Sequence, residues 1–290
     1  MMHAVTIAAL MCVLLCADRA PDPAYRKSIE QWRQNYQAYL AADDGWLTVI
    51  GLFWLHEGRN SFGSARQNDV VLPAPVPAHA GYFDLHQGKT TVHVNPGVPV
   101  TMAGKRVETA ELPPDSKTDR LKLGDLTFFV HQNAGRYGIR LKDKNSKLRR
   151  DFTGLHWFPV NEDYRISARF VAYSVPKKVR IDIIDGHQET TDVAGYVEFE
   201  LGGKEFRLEA ERQEETGDLF IVFRDLTSKT ETYSAARFLD TEPPANGTVE
   251  LDFNKAYNPP CAYNPYATCP LPTAGNRLPI EIPAGEKRYH

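Results

Sequence analysis

Apolar side chains between residues 25 and 42 recur three and four positions apart, at Ile29, Trp32, Tyr36, Tyr39 and Leu40, with Arg, Gln and Lys opposite them. That is the period of a helix with one apolar stripe. Asp43, Asp44 and Gly45 stop it, which predicts a helix over 24–42 docked on the domain that follows. From residue 46 the period changes. Short alternating stretches, broken by Gly, Pro and Asn roughly every ten residues, fill 46–142 and predict a β-sandwich. A basic connection near Asn145 separates it from a second region, 150–290, where apolar and polar residues alternate along 165–173, 179–184, 195–201, 205–210 and 219–225. One wet and one buried face are expected there. Gly202 and Gly203 mark a hairpin, and about seven strands close as an antiparallel barrel or curved sandwich. The fold class is thus mainly β, with one N-terminal helix and two β regions.

The start of the chain departs from this texture. Residues 4–17 form an apolar run that ends at Asp18 and Arg19, the length of a signal-peptide core and short for a membrane span. A signal peptide over 1–17 implies export, periplasmic or at the cell envelope. The run Val13, Leu14, Leu15, Cys16 resembles a lipoprotein processing site, which makes Cys16 the one expected membrane attachment. In 290 residues, 42% hydrophobic and 24% charged, the net charge is −3. This is a globular composition without the basic face that nucleic acid requires.

One segment resists both periods. Residues 251–272 hold two of the four cysteines, five of the twenty prolines and three tyrosines. Proline fixes φ and removes donors, so the segment is neither helix nor central strand. Its aromatic content is unlike a disordered linker. An ordered loop is predicted, and such loops carry sites. Cys261 and Cys269 stand there with seven residues between them. In an oxidising compartment they pair as a disulfide; as metal ligands they lack the companions of a zinc signature; as a nucleophile Cys261 needs a histidine, for which His156 is the candidate; and both can remain inert thiols.

A polar set accompanies the loop. Arg224 and Asp225 end a core-like strand, Tyr233 and Arg237 share a face at spacing four, and Asp252 and Asn254 share one at spacing two. Two arrangements fit these residues. In one, Arg224, Asp225, Arg237, Asp252 and Glu286 anchor the proline-rich loop as a buried network. In the other, Arg224, Arg237, Asp252, Asn254, Tyr257, Cys261 and His156 line a hollow, and the paired guanidinium groups take a small anionic ligand or a protein partner. Binding without chemistry is the first expectation. The alternative is a hydrolase-type enzyme using Cys261 or an Asp252/His156 pair. No cofactor or metal is implied; the segment 58–63 lacks the lysine of a phosphate-binding loop.

Two stretches of residue order resemble known families. The order Gly58 to Ser64, Asn68 to Leu72, His79, Met102 to Val107 and Leu123 to Leu126 resembles a forkhead-associated domain, which implies a sandwich that reads phosphothreonine through its end loops. Ser64 and Val76 replace the arginine and serine of that phosphate cradle, so its charge-assisted contact is missing and the resemblance bears on fold. Trp46 and Leu47, Gly51 to Leu55, Phe223 to Asp225, Arg237 to Leu239, and above all Asp252 to Cys261, Ala267 to Pro272, Asn276 to Pro279 and Ala284 to Lys287 resemble domain of unknown function 1684. This second resemblance spans about residue 30 to 289 and implies the two-domain β architecture without supplying a reaction.

Overall fold

The computed structural model describes residues 22–289, so the leader at 1–17 and Cys16 lie outside the described residues. Helix α1 spans Pro23–Leu40; the Asp22 side chain accepts from the Ala24 N–H at 3.1 Å, and Pro23 sits in the first turn, where its missing donor costs nothing. The turn behind it needs a glycine, because a Cβ on Gly45 would meet the Leu40 carbonyl at 2.2 Å. Eleven short strands follow: β1 Val49–Trp54, β2 Gly58–Gly63, β3 Val70–Val71, β4 Gly81–His86, β5 Lys89–Val94, β6 Thr101–Met102, β7 Lys105–Arg106, β8 Thr109–Glu111, β9 Leu121–Leu123, β10 Leu126–Asn133 and β11 Arg136–Asp143. They form a six-stranded sheet in the order β1-β11-β10-β9-β6-β7 and a five-stranded sheet in the order β3-β2-β4-β5-β8. The two sheets share one core, with Phe62, Phe83 and Val92 meeting Phe128, Val130, Ile139 and Leu141. Truncating one of those phenylalanines to alanine costs about 3–5 kcal/mol.

A single-turn helix α2, Lys147–Arg150, leads to the third sheet, built from β12 Arg165–Asp182, β13 Gln188–Leu201, β14 Lys204–Arg212, β15 Leu219–Phe223, β16 Arg237–Thr241 and β17 Thr248–Asp252. Its order is β16-β15-β14-β13-β12-β17, all antiparallel, curled into a half-barrel around Val197, Leu208, Ile221, Phe223, Leu251 and Phe253. The two stretches read as separate strands over 165–184 are one strand with an irregularity between Ala172 and Lys177. Pro176 falls in that irregularity, where a missing donor breaks no ladder. The C-terminal tail returns into the mouth of the half-barrel, and Leu278, Ile282 and Ala284 complete its core.

Helix α1 packs its end on the start of the first region, where Leu40 meets Leu47, and turns its polar edges elsewhere. Its Tyr25 hydroxyl donates to Asp252 at 2.9 Å, Arg33 donates to the Phe158 and Asn254 carbonyls at 3.1 and 3.3 Å, and Tyr36 donates to the Asn258 carbonyl at 3.3 Å. The proline-rich loop has carbonyls that no ladder uses, and the polar edges of the helix's aromatic stripe satisfy them.

Candidate functional site

The polar residues singled out in the sequence are brought together mostly as anchors. Arg237 is fully buried; its Nη1 donates to Asp225 at 3.2 Å and to the Ile282 carbonyl at 3.0 Å, and its Nη2 donates to the Ala284 carbonyl. Asp225 also accepts the Ile282 N–H at 2.6 Å and the Thr227 hydroxyl. Arg237 therefore ties the tail into the half-barrel, and the hollow expected around it is filled by the tail itself. Arg224 enters this arrangement through its backbone, accepting from Leu278 and donating to Asn276. Asp252 and Asn254 meet Tyr25: the Asn254 amide donates to the Tyr25 hydroxyl at 2.9 Å and to the Asn161 carbonyl at 2.8 Å. His156 is exposed, and its carbonyl, not its ring, is engaged, by the Lys287 N–H. Among the described residues Asp252 and His156 form no pair.

A third anchor lies under the loop. Glu286 is 1% exposed and accepts from the Asn258 N–H at 2.8 Å, the Asn258 amide at 2.7 Å and the Tyr263 hydroxyl at 2.6 Å. Burial pushes its carboxyl up to about 7, against the pull of those donors. The expected Cys261–Cys269 disulfide is not formed. Both are free thiols, and the Cys269 sulfur accepts the Cys261 N–H at 3.3 Å. The turn Pro260–Ala262 does bring the pair into contact, but as hydrogen-bond partners, and Tyr233 donates to the Cys261 carbonyl at 3.2 Å.

What these anchors hold open is an aromatic pocket of about 470 Å³. Trp32, Tyr36 and Tyr39 of α1, Trp46, Phe220 of β15, Phe238 of β16 and Tyr257 of the loop line it, with Asp240 and Pro260. The sheet register explains the wall. Phe220 lies opposite Asp240 and Val222 opposite Phe238, so Phe238 and Asp240, two apart, present to one face. Tyr257 extends that face by pairing its backbone with Phe238 in both directions, at 2.9 and 3.0 Å. Opposite stands the helix stripe, with Trp32 stacked on Tyr36 at 5.5 Å and Tyr36 4.9 Å from Tyr257. The Tyr257 hydroxyl donates to Asp240 at 2.6 Å. Asp240 is exposed at the pocket's rim, and the partial shielding of its carboxyl by the surrounding groups raises it above the usual range, Tyr257 partly offsetting this and Asp218 adding to it. A wider open groove of about 850 Å³ crosses the half-barrel, and Glu198 within it accepts from both Arg169 and Arg207.

Of the expected ligand-lining residues only Tyr257 reaches this pocket; Cys261 follows its Pro260. The others were legible in a different sense. Strand β15 is apolar on both faces, and its largely buried pattern signals cover on both sides.

The profile described as Protein of unknown function (DUF1684) matches residues 150–287. The chain belongs to this family. An uncharacterised protein of Haloarcula marismortui, known by solution NMR, is 35% identical over 48% of this chain and 78% of its own, with a TM-score of 0.41. No curated protein matches the chain. The DUF1684 segment contains the Arg237 and Glu286 anchors, the Asp252 and Asn254 side of the other, and one wall of the pocket, namely Phe220, Phe238, Asp240, Tyr257 and Pro260, while α1 with Tyr25, and Trp46, precede it.

Proposed function

We propose that the protein binds a small organic cation of the ammonium class in the aromatic pocket. The observation that carries this reading is the Asp240 carboxylate, exposed at the rim of a pocket lined by seven aromatic rings, 2.6 Å from the Tyr257 hydroxyl and in no ion pair among the described residues. Ring faces attract a cation by about 0.5–1 kcal/mol each where water reaches them, and a cation beside Asp240 favours its charged form. An anion has less support, since the Arg237 guanidinium is committed to Asp225 and the tail. The proposal keeps the export inferred from the leader, with Cys16 as the candidate anchor.

Calorimetric titration with choline and with its neutral carbon isostere, dimethylbutanol, tests this. Choline is expected to bind at least about tenfold more tightly, a difference of about 1.4 kcal/mol, and Asp240→Asn is expected to remove the difference. Equal affinity for the two compounds, or tighter binding of benzoate than of either, overturns the assignment.

A further inference from the structure

Away from the aromatic pocket, three segments that the sequence does not connect meet on the outer face of the first sandwich. Strands β10 and β11 bury Phe128, Val130, Ile139 and Leu141 inward, so Phe129, His131 and Arg140 alternate onto the other face. The proline-rich loop covers that face. His131 is 8% exposed, and its two ring nitrogens are both engaged: Nδ1 lies 2.7 Å from Asp115 Oδ1, and Nε2 lies 2.9 Å from the Thr268 hydroxyl. Asp115 is held by its second oxygen, which accepts the Gln132 N–H at 3.1 Å, and by its own N–H, which donates to the Val130 carbonyl at 2.8 Å. Its φ is +52°, a left-handed conformation that a non-glycine residue adopts at a cost.

We propose that Asp115, His131 and Thr268 form a carboxylate–imidazole–hydroxyl relay that makes Thr268 an acyl-accepting nucleophile. The chain of contacts fixes the tautomer the chemistry needs. Nδ1–H donates to Asp115, which leaves Nε2 to accept the Thr268 proton. A purely structural clamp accounts for these bonds but not for Arg140, which stands beside them. Arg140 is 6% exposed with its guanidinium 5.0 Å from the Trp46 ring, and its Nε and Nη2 are buried without a partner. Its charge is coupled to Asp115, one end of the relay, and to Cys269, the residue after Thr268 at the other. Buried donors without an acceptor are costly, and an oxyanion developing at an acylated Thr268 is an acceptor of the kind they fit.

For a carboxylic ester the step balances within the site. The Thr268 oxygen bonds to the carbonyl carbon as its proton passes to His131 Nε2, and the carbonyl electrons move onto the oxygen that Arg140 receives. Collapse breaks the bond to the alkoxy group, which leaves as the alcohol with the proton from His131. Water repeats the sequence on acyl-Thr268 and releases the acid. Asp115 is a positioning residue; Thr268 and His131 are the reacting groups.

A fluorophosphonate reports the same nucleophile, forming an oxygen–phosphorus bond and releasing fluoride. The full chain is incubated with the probe, and digestion with mass spectrometry locates the adduct. One adduct is expected on Thr268, absent in Thr268→Val and retained or faster in Thr268→Ser. Asp115→Asn is expected to slow labelling at least tenfold, and Asp115→Glu to recover part of the rate, while each variant's melting temperature is followed alongside. Asp115 is half exposed, so its replacement leaves the fold in place. No adduct on Thr268 in the folded wild type, or a labelling rate indifferent to Asp115→Asn, overturns the proposal.

Discussion

Arg237 and Arg140 are both withdrawn from water, at 0% and 6% exposure, and the chain treats them in opposite ways. Arg237 has a carboxylate and two carbonyls gathered around its terminal nitrogens, leaving only its Nε open. Arg140 has a ring beneath it and two nitrogens with nothing to donate to. Desolvation lowers both guanidinium groups, and Asp225 counters it at one site as Asp115 and Cys269 counter it at the other. The two regions around them differ in the same way. The half-barrel mouth closes its polar groups on each other and is scaffolding, whereas the face under Thr268 keeps donors in reserve. Burial of a charge therefore says little by itself about function; the balance of donors against acceptors says more.

The largest effect that separates the two is on stability. Arg237→Met strands Asp225 in the interior and is expected to cost about 3–5 kcal/mol. Arg140→Met removes unpartnered donors and is expected to cost less than about 1 kcal/mol, or to stabilise. Guanidinium chloride unfolding of both variants reads the difference as a shift in midpoint. If the two losses are alike, Arg140 is an anchor as Arg237 is, and the contrast between the regions fails.

Within the closed region, Glu286 gives a pH signature of comparable size. Its carboxyl is raised from 4.5 to about 7 by burial, so between those values the folded chain holds a proton that the unfolded chain has released. Stability from this group is full below about pH 4.5 and is lost as pH rises toward 7, by roughly 3 kcal/mol in all. Urea midpoints across this window should fall with rising pH in the wild type and flatten in Glu286→Gln. A slope unchanged by that substitution places the titration elsewhere.

Much of this architecture is legible in residue order, and the exceptions have physical causes. The alternation over 195–201 and 205–210 maps onto β13 and β14 because one face of that sheet is core and the other is wet. The helix period over 25–40 is equally plain, but a stripe says only that a partner exists. Tyr25 chooses the Asp252 carboxylate, and Arg33 and Tyr36 choose carbonyls more than a hundred residues away, which have no sequence signature. For the same reason Arg237 reads as a free guanidinium until the tail at Ile282 and Ala284 is folded back upon it. Asp240 and Phe238 were hidden differently, since two residues at strand spacing take their meaning from α1, which supplies the opposite wall. Asp115, His131 and Thr268 come from a turn, a strand and the proline-rich loop, and no spacing joins them.

The smallest effect sharpens the aromatic pocket rather than the fold. Tyr257→Phe deletes the hydroxyl that donates to Asp240 at 2.6 Å and keeps the ring; a net loss of about 1 kcal/mol is typical for one such bond. Its second consequence is more informative. Partial shielding already raises the Asp240 carboxyl, and the Tyr257 hydrogen bond opposes that rise, so removing it moves Asp240 further upward. The carboxylate that attracts a cation is then lost at a higher pH as the solution is acidified. Choline titrations at stepped pH should show binding that fades earlier in Tyr257→Phe than in the wild type, with the two converging at alkaline pH. Parallel curves would mean that the rings alone hold the ligand and that Asp240 takes no part.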